Sequence, residues 1–342
     1  MGKNAILALL VCAMMVATGA AVYLAQDPSE SDGPDYPKVT VTQADGTEKT
    51  VKYKPERIVC LSTYACELLI LYGYHDKVVG VTNSSYTNVD QAPYYGSGKS
   101  KDVGNFNEPN ISEIVNLEPD LVITWSTQPG VAEQLEGVEL PYVFLQCSAI
   151  DTMEMEATSL GKIVGKTEKA EEYCTFLNNV LDDIDARVAT KTVKKTVYME
   201  SFSSYSAAGK SSAYYRLCVR AGAEMVFDNE KSQTVSKDAI ILKNPSIIIK
   251  TPMLYKMINN GSKTIYDEII GREGFGIIDA VKNEQVYILC SQLFGGPRCF
   301  AGMVACYDAM YPDEVPKGMN TLLQEYNTTF GVNMSIDSLS YP

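Results

Sequence analysis

Large aromatic side chains and one arginine stand directly after apolar, β-branched runs, where a loop would ordinarily be polar. Thr63 and Tyr64 follow Ile58–Leu61, and Tyr86 follows Val78–Val81. Trp125, the only tryptophan, follows Leu121–Thr124; Tyr205 follows Thr196–Met199; Phe294 and Arg298 follow Val286–Leu289. In an open sheet of parallel strands, ligands collect outside the carboxyl ends, so these side chains are expected to line one cleft. The chemistry on offer is binding: stacking on rings and neutralisation of an anion. Arg298 follows Gly295-Gly296-Pro297 and opens a helix, so its guanidinium and the free helix N–H groups could both face a negative charge. Lys210, in Ala208-Gly209-Lys210, supports the same idea more weakly. The plainer alternatives are rings that cap the core and an arginine paired on the surface.

Catalysis finds no comparable set of residues. The single histidine, His75, lies in a polar Tyr-His-Asp-Lys turn, where exposure to solvent is the default and no histidine-based acid, base or metal cluster can assemble. A Ser-His-Asp arrangement and a Gly-rich phosphate loop are both missing. Nine cysteines avoid Cys-x-x-Cys spacing and read mainly as small buried side chains, with Cys60 in a strand and Cys174 on a helix face; Cys299 and Cys306 could pair. A net charge of -13 and the lack of any basic run exclude a general grip on nucleic acid or anionic lipid.

Two related stretches show how the site is positioned. Asn110 to Trp125 contains a polar cap, an apolar turn, Pro119 and the run Leu121–Thr124; Ser236 to Ile249 repeats the pattern around Pro245. Each copy predicts a short helix capped by Asn110 or Ser236, stopped by proline and followed by a buried strand. Strands at Ile58–Leu61, Val78–Val81, Leu121–Thr124 and Tyr142–Leu145 alternate with helices, the first of them capped by Thr63, and so predict parallel pairing. From Asp151 to Ala189 the pattern turns helical, broken at Gly165-Lys166-Thr167, and apolar residues from Ala170 to Ile184 recur at three- and four-residue spacing. The second part runs about 22 residues, or about 33 Å, enough to join two lobes as a strut. Alternation then resumes through Val286–Leu289 to a helix from about Pro297 to Met310 and a last one near Asn320–Thr328. The fold expected is α/β, with two Rossmann-like lobes of mostly parallel sheet joined by one long α-helix and a ligand cleft between them.

Upstream, Ala5 to Ala25 is uncharged and long enough to cross a bilayer, so residues 1–26 are read as a signal peptide or an N-terminal membrane anchor. Residues 27–56 form an acidic tether and a short edge hairpin turning at Ala44-Asp45-Gly46-Thr47; 57–150 form the first lobe, 151–190 the interlobe helix and 191–342 the second lobe.

Arg57-Ile58-Val59-Cys60-Leu61-Ser62, Glu67-Leu68-Leu69, Val79-Gly80-Val81, Leu117-Glu118-Pro119-Asp120-Leu121-Val122-Ile123, the helix Gly161–Ala189 and Gly296-Pro297-Arg298 together resemble the extracytoplasmic solute-binding proteins of ABC importers for iron-siderophores, haem and vitamin B12. The resemblance covers about Arg57 to Pro312. It implies a binding module, not an enzyme, with no intrinsic cofactor and no resident metal, acting as a monomer outside the cytoplasm with a permease and its ATPase. The ligand it implies is a metal chelate: a ferric siderophore, haem or a corrinoid. Trp125, Tyr86, Phe106 and Arg298 locally resemble cleft-lining aromatics and a cationic clamp of the B12-binding members, while Ser232 stands where those members carry a ring. In this family an acidic residue on each lobe meets the permease. Asp238 holds that position in the second lobe; Ser112 stands at the matching place in the first, leaving Glu113 as its nearest substitute. A chelatase-like enzyme and a sensor domain are the competing readings.

Overall fold

The strand Ile58–Cys60 shows how this chain builds a two-sided sheet. Ile58 and Cys60 point into the main core, whereas Val59 and the following Leu61 point into a second apolar cluster with Val103, Ile114, Val122, Val131 and Leu135. Neighbouring Leu121, Val122 and Ile123 alternate in the same way. Strands apolar on both faces need helices on both sides, the condition of a parallel sheet. The first sheet accordingly has five strands, all parallel, in the order Lys101–Asp102, Val78–Val81, Ile58–Cys60, Leu121–Thr124, Tyr142–Phe144. These descriptions come from a computed structural model that describes residues 36–312, 314, 317–334 and 340–341. The expected anchor or leader and the tether as far as Asp35 lie outside the described residues. Among the described residues no helix is long and apolar enough to cross a membrane.

In the second sheet the centre is parallel: Thr196–Glu200, Ile247–Lys250 and Val286–Leu289 lie side by side. Short antiparallel strands, Ser206–Ala207, Gln233–Thr234 and Ser340–Tyr341, extend it on either side. The repeated unit folds as its sequence dictates. Asn110 Oδ1 accepts from the Glu113 amide at 3.1 Å and Ser236 Oγ from the Ala239 amide at 3.1 Å, capping helices Ile111–Asn116 and Lys237–Lys243. Beyond each proline the chain enters a central strand of its sheet. The first helix, Thr63–Leu71, is capped by Ser62 rather than Thr63: Ser62 Oγ accepts from the Ala65 amide at 3.2 Å, which makes Thr63 the first helical residue.

The helical stretch after the first sheet breaks where expected, at Gly165, whose φ of 64° is left-handed. Helix Ile150–Val164 packs on the N-terminal hairpin, with Ser159 Oγ donating to Thr42 O at 2.8 Å. Helix Thr167–Ala189 has 23 residues and buries Ala170, Tyr173, Leu177, Leu181 and Ile184, the stripe its spacing predicts. It lies against helices Cys299–Met310 and Met319–Phe330, where Phe176 meets the rings of Phe300 and Tyr326. The eight described cysteines are all buried and free. Cys299 and Cys306 do not pair, because they sit two turns apart on one helix; seven residues rise about 10 Å, beyond the roughly 7 Å that a disulfide spans.

The hairpin Lys38–Thr42/Glu48–Lys52 is a separate two-stranded antiparallel sheet that covers the edge of the first. Its turn bonds the outer side of the edge strand, with the Ala44 amide on Phe144 O at 2.8 Å and Gln43 Oε1 accepting from the Phe144 amide at 2.9 Å.

Candidate functional site

The cleft grows from strand ends. Trp125 follows Leu121–Thr124, and its indole Nε1 donates to Leu61 O at 3.1 Å, so the polar edge is fixed and a ring face is left for the cleft. Phe106 packs near it with centroids 5.1 Å apart, and the Tyr64 ring lies 6.3 Å away. Tyr64 also crosses to the second lobe and lies on Gly295 and Gly296. A Cβ on Gly296 would sit 2.2 Å from the Tyr64 ring, and its φ of 76° is left-handed, so glycine is required there twice over. Burial, and then the nearby Glu67 charge, push the Tyr64 hydroxyl pKa up, so the ring stays neutral.

Facing this wall is the helix Leu254–Asn260, which springs from the carboxyl end of Ile247–Lys250. Met253, Leu254, Tyr255 and Ile258 line the cleft, and Tyr255 and Ile258 remain 55% and 64% exposed. A buried ionic knot anchors this strand end. Arg272 donates twice to Glu200 at 2.6 and 2.9 Å, and Lys250 Nζ lies 2.9 Å from the same carboxylate and 2.6 Å from Ser201 O. Burial alone would push the Glu200 carboxyl up, but the Arg272 hydrogen bonds and the Lys250 and Arg272 charges outweigh it and hold it below the usual carboxylate range. Tyr205 belongs to this knot: its φ is 64°, its amide donates to Glu200, and Arg272 stacks on its ring at 4.6 Å.

Between the walls lies a cavity of about 680 Å³, within the range of small-molecule sites. Thr63, Tyr64, Phe106, Trp125 and Arg298 line it together, with Ser84, Thr87, Asn88 and Gln292 among the neutral polar lining. Tyr86, Tyr205 and Phe294 do not. On helix Asn83–Thr87 it is Ser84 and Thr87 that face the cleft, while Tyr86 packs against the core. Phe294 is fully buried, 5.2 Å from the Tyr214 ring, as the plainer core-cap alternative had it.

Arg298 is neither an open clamp nor a surface residue. Its Nε and Nη2 donate to Glu67 at 3.0 and 3.2 Å, Nη2 lies 2.9 Å from Asp90 Oδ2, and the three side chains are 8%, 4% and 4% exposed. Tyr326 donates to the same Glu67 at 3.0 Å. Burial alone would lower the Arg298 pKa; the Glu67 and Asp90 charges outweigh it and raise it further. Arg298 therefore ties the second lobe to two carboxylates of the first, beneath the cavity. Lys210 pairs with Asp228 and Glu230 and does not line the cavity. His75 is half-buried, edge-on to Tyr94 at 4.9 Å. The proposed docking residues lie away from the cavity: Glu113 is half-buried near Lys101 at 3.5 Å, and Asp238 is exposed in the first turn of its helix.

Two sheets with parallel centres, a strut helix and an aromatic cleft floored by a polar lock define a two-lobed binding protein. The sequence pattern of the periplasmic binding protein family matches residues 58–293, and the chain belongs to that family. It is 25% identical over 319 residues to the ABC transporter substrate-binding lipoprotein YvrC of Bacillus subtilis, covering 90% of this chain and 96% of the relative. Similarity to the petrobactin-binding protein YclQ of the same organism is 24% over 294 residues, 83% of this chain and 90% of the relative. Among solved structures, the TroA-like periplasmic binding protein FepB from Veillonella parvula superposes with a TM-score of 0.74 over 87% of this chain and 97% of that one, at 19% identity. That last likeness concerns the fold alone.

Proposed function

We propose that the chain is the extracytoplasmic substrate-binding component of an ABC importer and that it carries a metal chelate, an iron complex of the siderophore or haem kind, with a corrinoid as the alternative. The observation that carries this reading is the cavity of about 680 Å³ walled by Tyr64, Phe106 and Trp125 on one side and Met253, Tyr255 and Ile258 on the other. Stacking and apolar contact suit the apolar organic periphery of such a ligand. The chain delivers its ligand to a permease and its ATPase, with Asp238 and, more weakly, Glu113 as docking residues, and it is held at the outer membrane surface by its N-terminal segment.

The test is direct. The full chain, purified in detergent, is titrated with ferric siderophores, haemin and cobalamin while Trp125 emission and thermal stability are followed. Binding of one chelate quenches the single indole and raises the unfolding temperature. Unchanged emission and stability with every chelate would refute the reading. An absorption spectrum and mass spectrum of protein isolated from its source identify the ligand independently.

A further inference from the structure

Resting on that reading, we infer that the cleft selects chelates of zero or positive net charge and rejects anionic ones. Among the described residues that line the cavity, Arg298 is the one cation, and its charge is committed elsewhere. It donates to Glu67 at 3.0 and 3.2 Å and meets Asp90 at 2.9 Å, so one guanidinium faces two carboxylates. The floor is thus left with net negative charge, buried where screening by solvent is weak. Lys256, on the same helix as Tyr255, does not line the cavity. The remaining polar lining, including Thr87, Asn88 and Gln292, is uncharged. An anionic chelate entering here meets no free cation and approaches carboxylates, a juxtaposition that costs specificity energy. A neutral chelate with apolar faces meets matching surface, and the ring faces of Phe106 and Trp125 favour positive charge over negative.

The experiment measures dissociation constants for the full chain in detergent, using Trp125 emission and calorimetry. The probes are a neutral ferric trihydroxamate, cyanocobalamin, a trianionic ferric tris-catecholate and haemin. The tightest neutral probe is expected to bind at least about 100-fold better than either anionic one. Its affinity is expected to change less than about twofold between 0.02 and 0.5 M salt. In Gln292→Lys, which adds a cation to the lining, the tris-catecholate gains about tenfold and the trihydroxamate does not. An anionic chelate that binds wild type best, or an affinity that falls steeply with salt, overturns the charge assignment while leaving chelate binding intact. No binding by any probe overturns both.

Discussion

Replacing Arg298 by Met keeps most of the side-chain volume and removes the charge. Glu67 and Asp90, each 4% exposed, then lie buried without their cation, and Glu67 retains the Tyr326 hydroxyl at 3.0 Å. Breaking a buried pair by deleting one partner costs about 3–5 kcal/mol. Because one guanidinium serves two carboxylates, the upper part of that range is expected. Urea unfolding measures the loss as a lower midpoint at unchanged slope. A second substitution, Glu67→Gln, removes one stranded charge, so the double mutant is expected to recover about 1–3 kcal/mol relative to additivity. Binding of a neutral chelate survives wherever the protein remains folded, because Arg298 offers that ligand no spare charge. A stability loss below about 1 kcal/mol, the scale of an exposed pair, would refute the argument. It would mean that solvent screens the cluster and that the guanidinium is free for a ligand.

The Glu200 knot sets an acid limb. Its folded carboxyl lies below the usual value, so it contributes stability above the ordinary carboxylate pKa of about 4.3 that is lost as pH falls through the folded value. Glu200→Gln, which strands Lys250 and Arg272, is expected to lose about 3–5 kcal/mol near neutrality, with the gap to wild type narrowing in acid; a gap constant with pH would refute this in denaturation series. Gly296→Ala is expected to destabilise by more than about 1 kcal/mol and to change Trp125 emission through the displaced Tyr64, and wild-type stability with an unaltered spectrum would count against the close approach. For transport into reconstituted vesicles, Asp238→Ala is expected to slow uptake with ligand affinity intact, and Glu113→Ala, already near Lys101, to act more weakly; full transport by the double mutant removes docking from both.

Local features of the fold were legible because their causes are local. Asn110 and Ser236 cap the two repeated helices, Gly165 breaks the long one, and the Ala170–Ile184 stripe faces inward. The site was legible in part. Trp125 and Tyr64 sit where the carboxyl-end rule puts them, but the rule says nothing about side-chain direction on the short helix Asn83–Thr87, and Tyr86 turns to the core. Arg298 lines the cavity as its position after the last strand implies, but its pairing was not legible, because its partners Glu67 and Asp90 are remote in sequence and meet it only through the tertiary fold. The opposing wall was missed, although its signal was present: Met253-Leu254-Tyr255 and Ile258 follow the strand Ile247–Lys250, the same rule applied to one more strand.

The bonds from Gln43 and Ala44 to Phe144 decide where this protein can safely be shortened. Without residues 38–56, the outer amide and carbonyl of the Tyr142–Phe144 strand become an open template for pairing with another chain. Trimming to Arg57, which the strand pattern alone would invite, therefore creates an adhesive edge. A proteolytic nick within the hairpin would do the same to the intact protein, turning a binding protein into a seed for self-association.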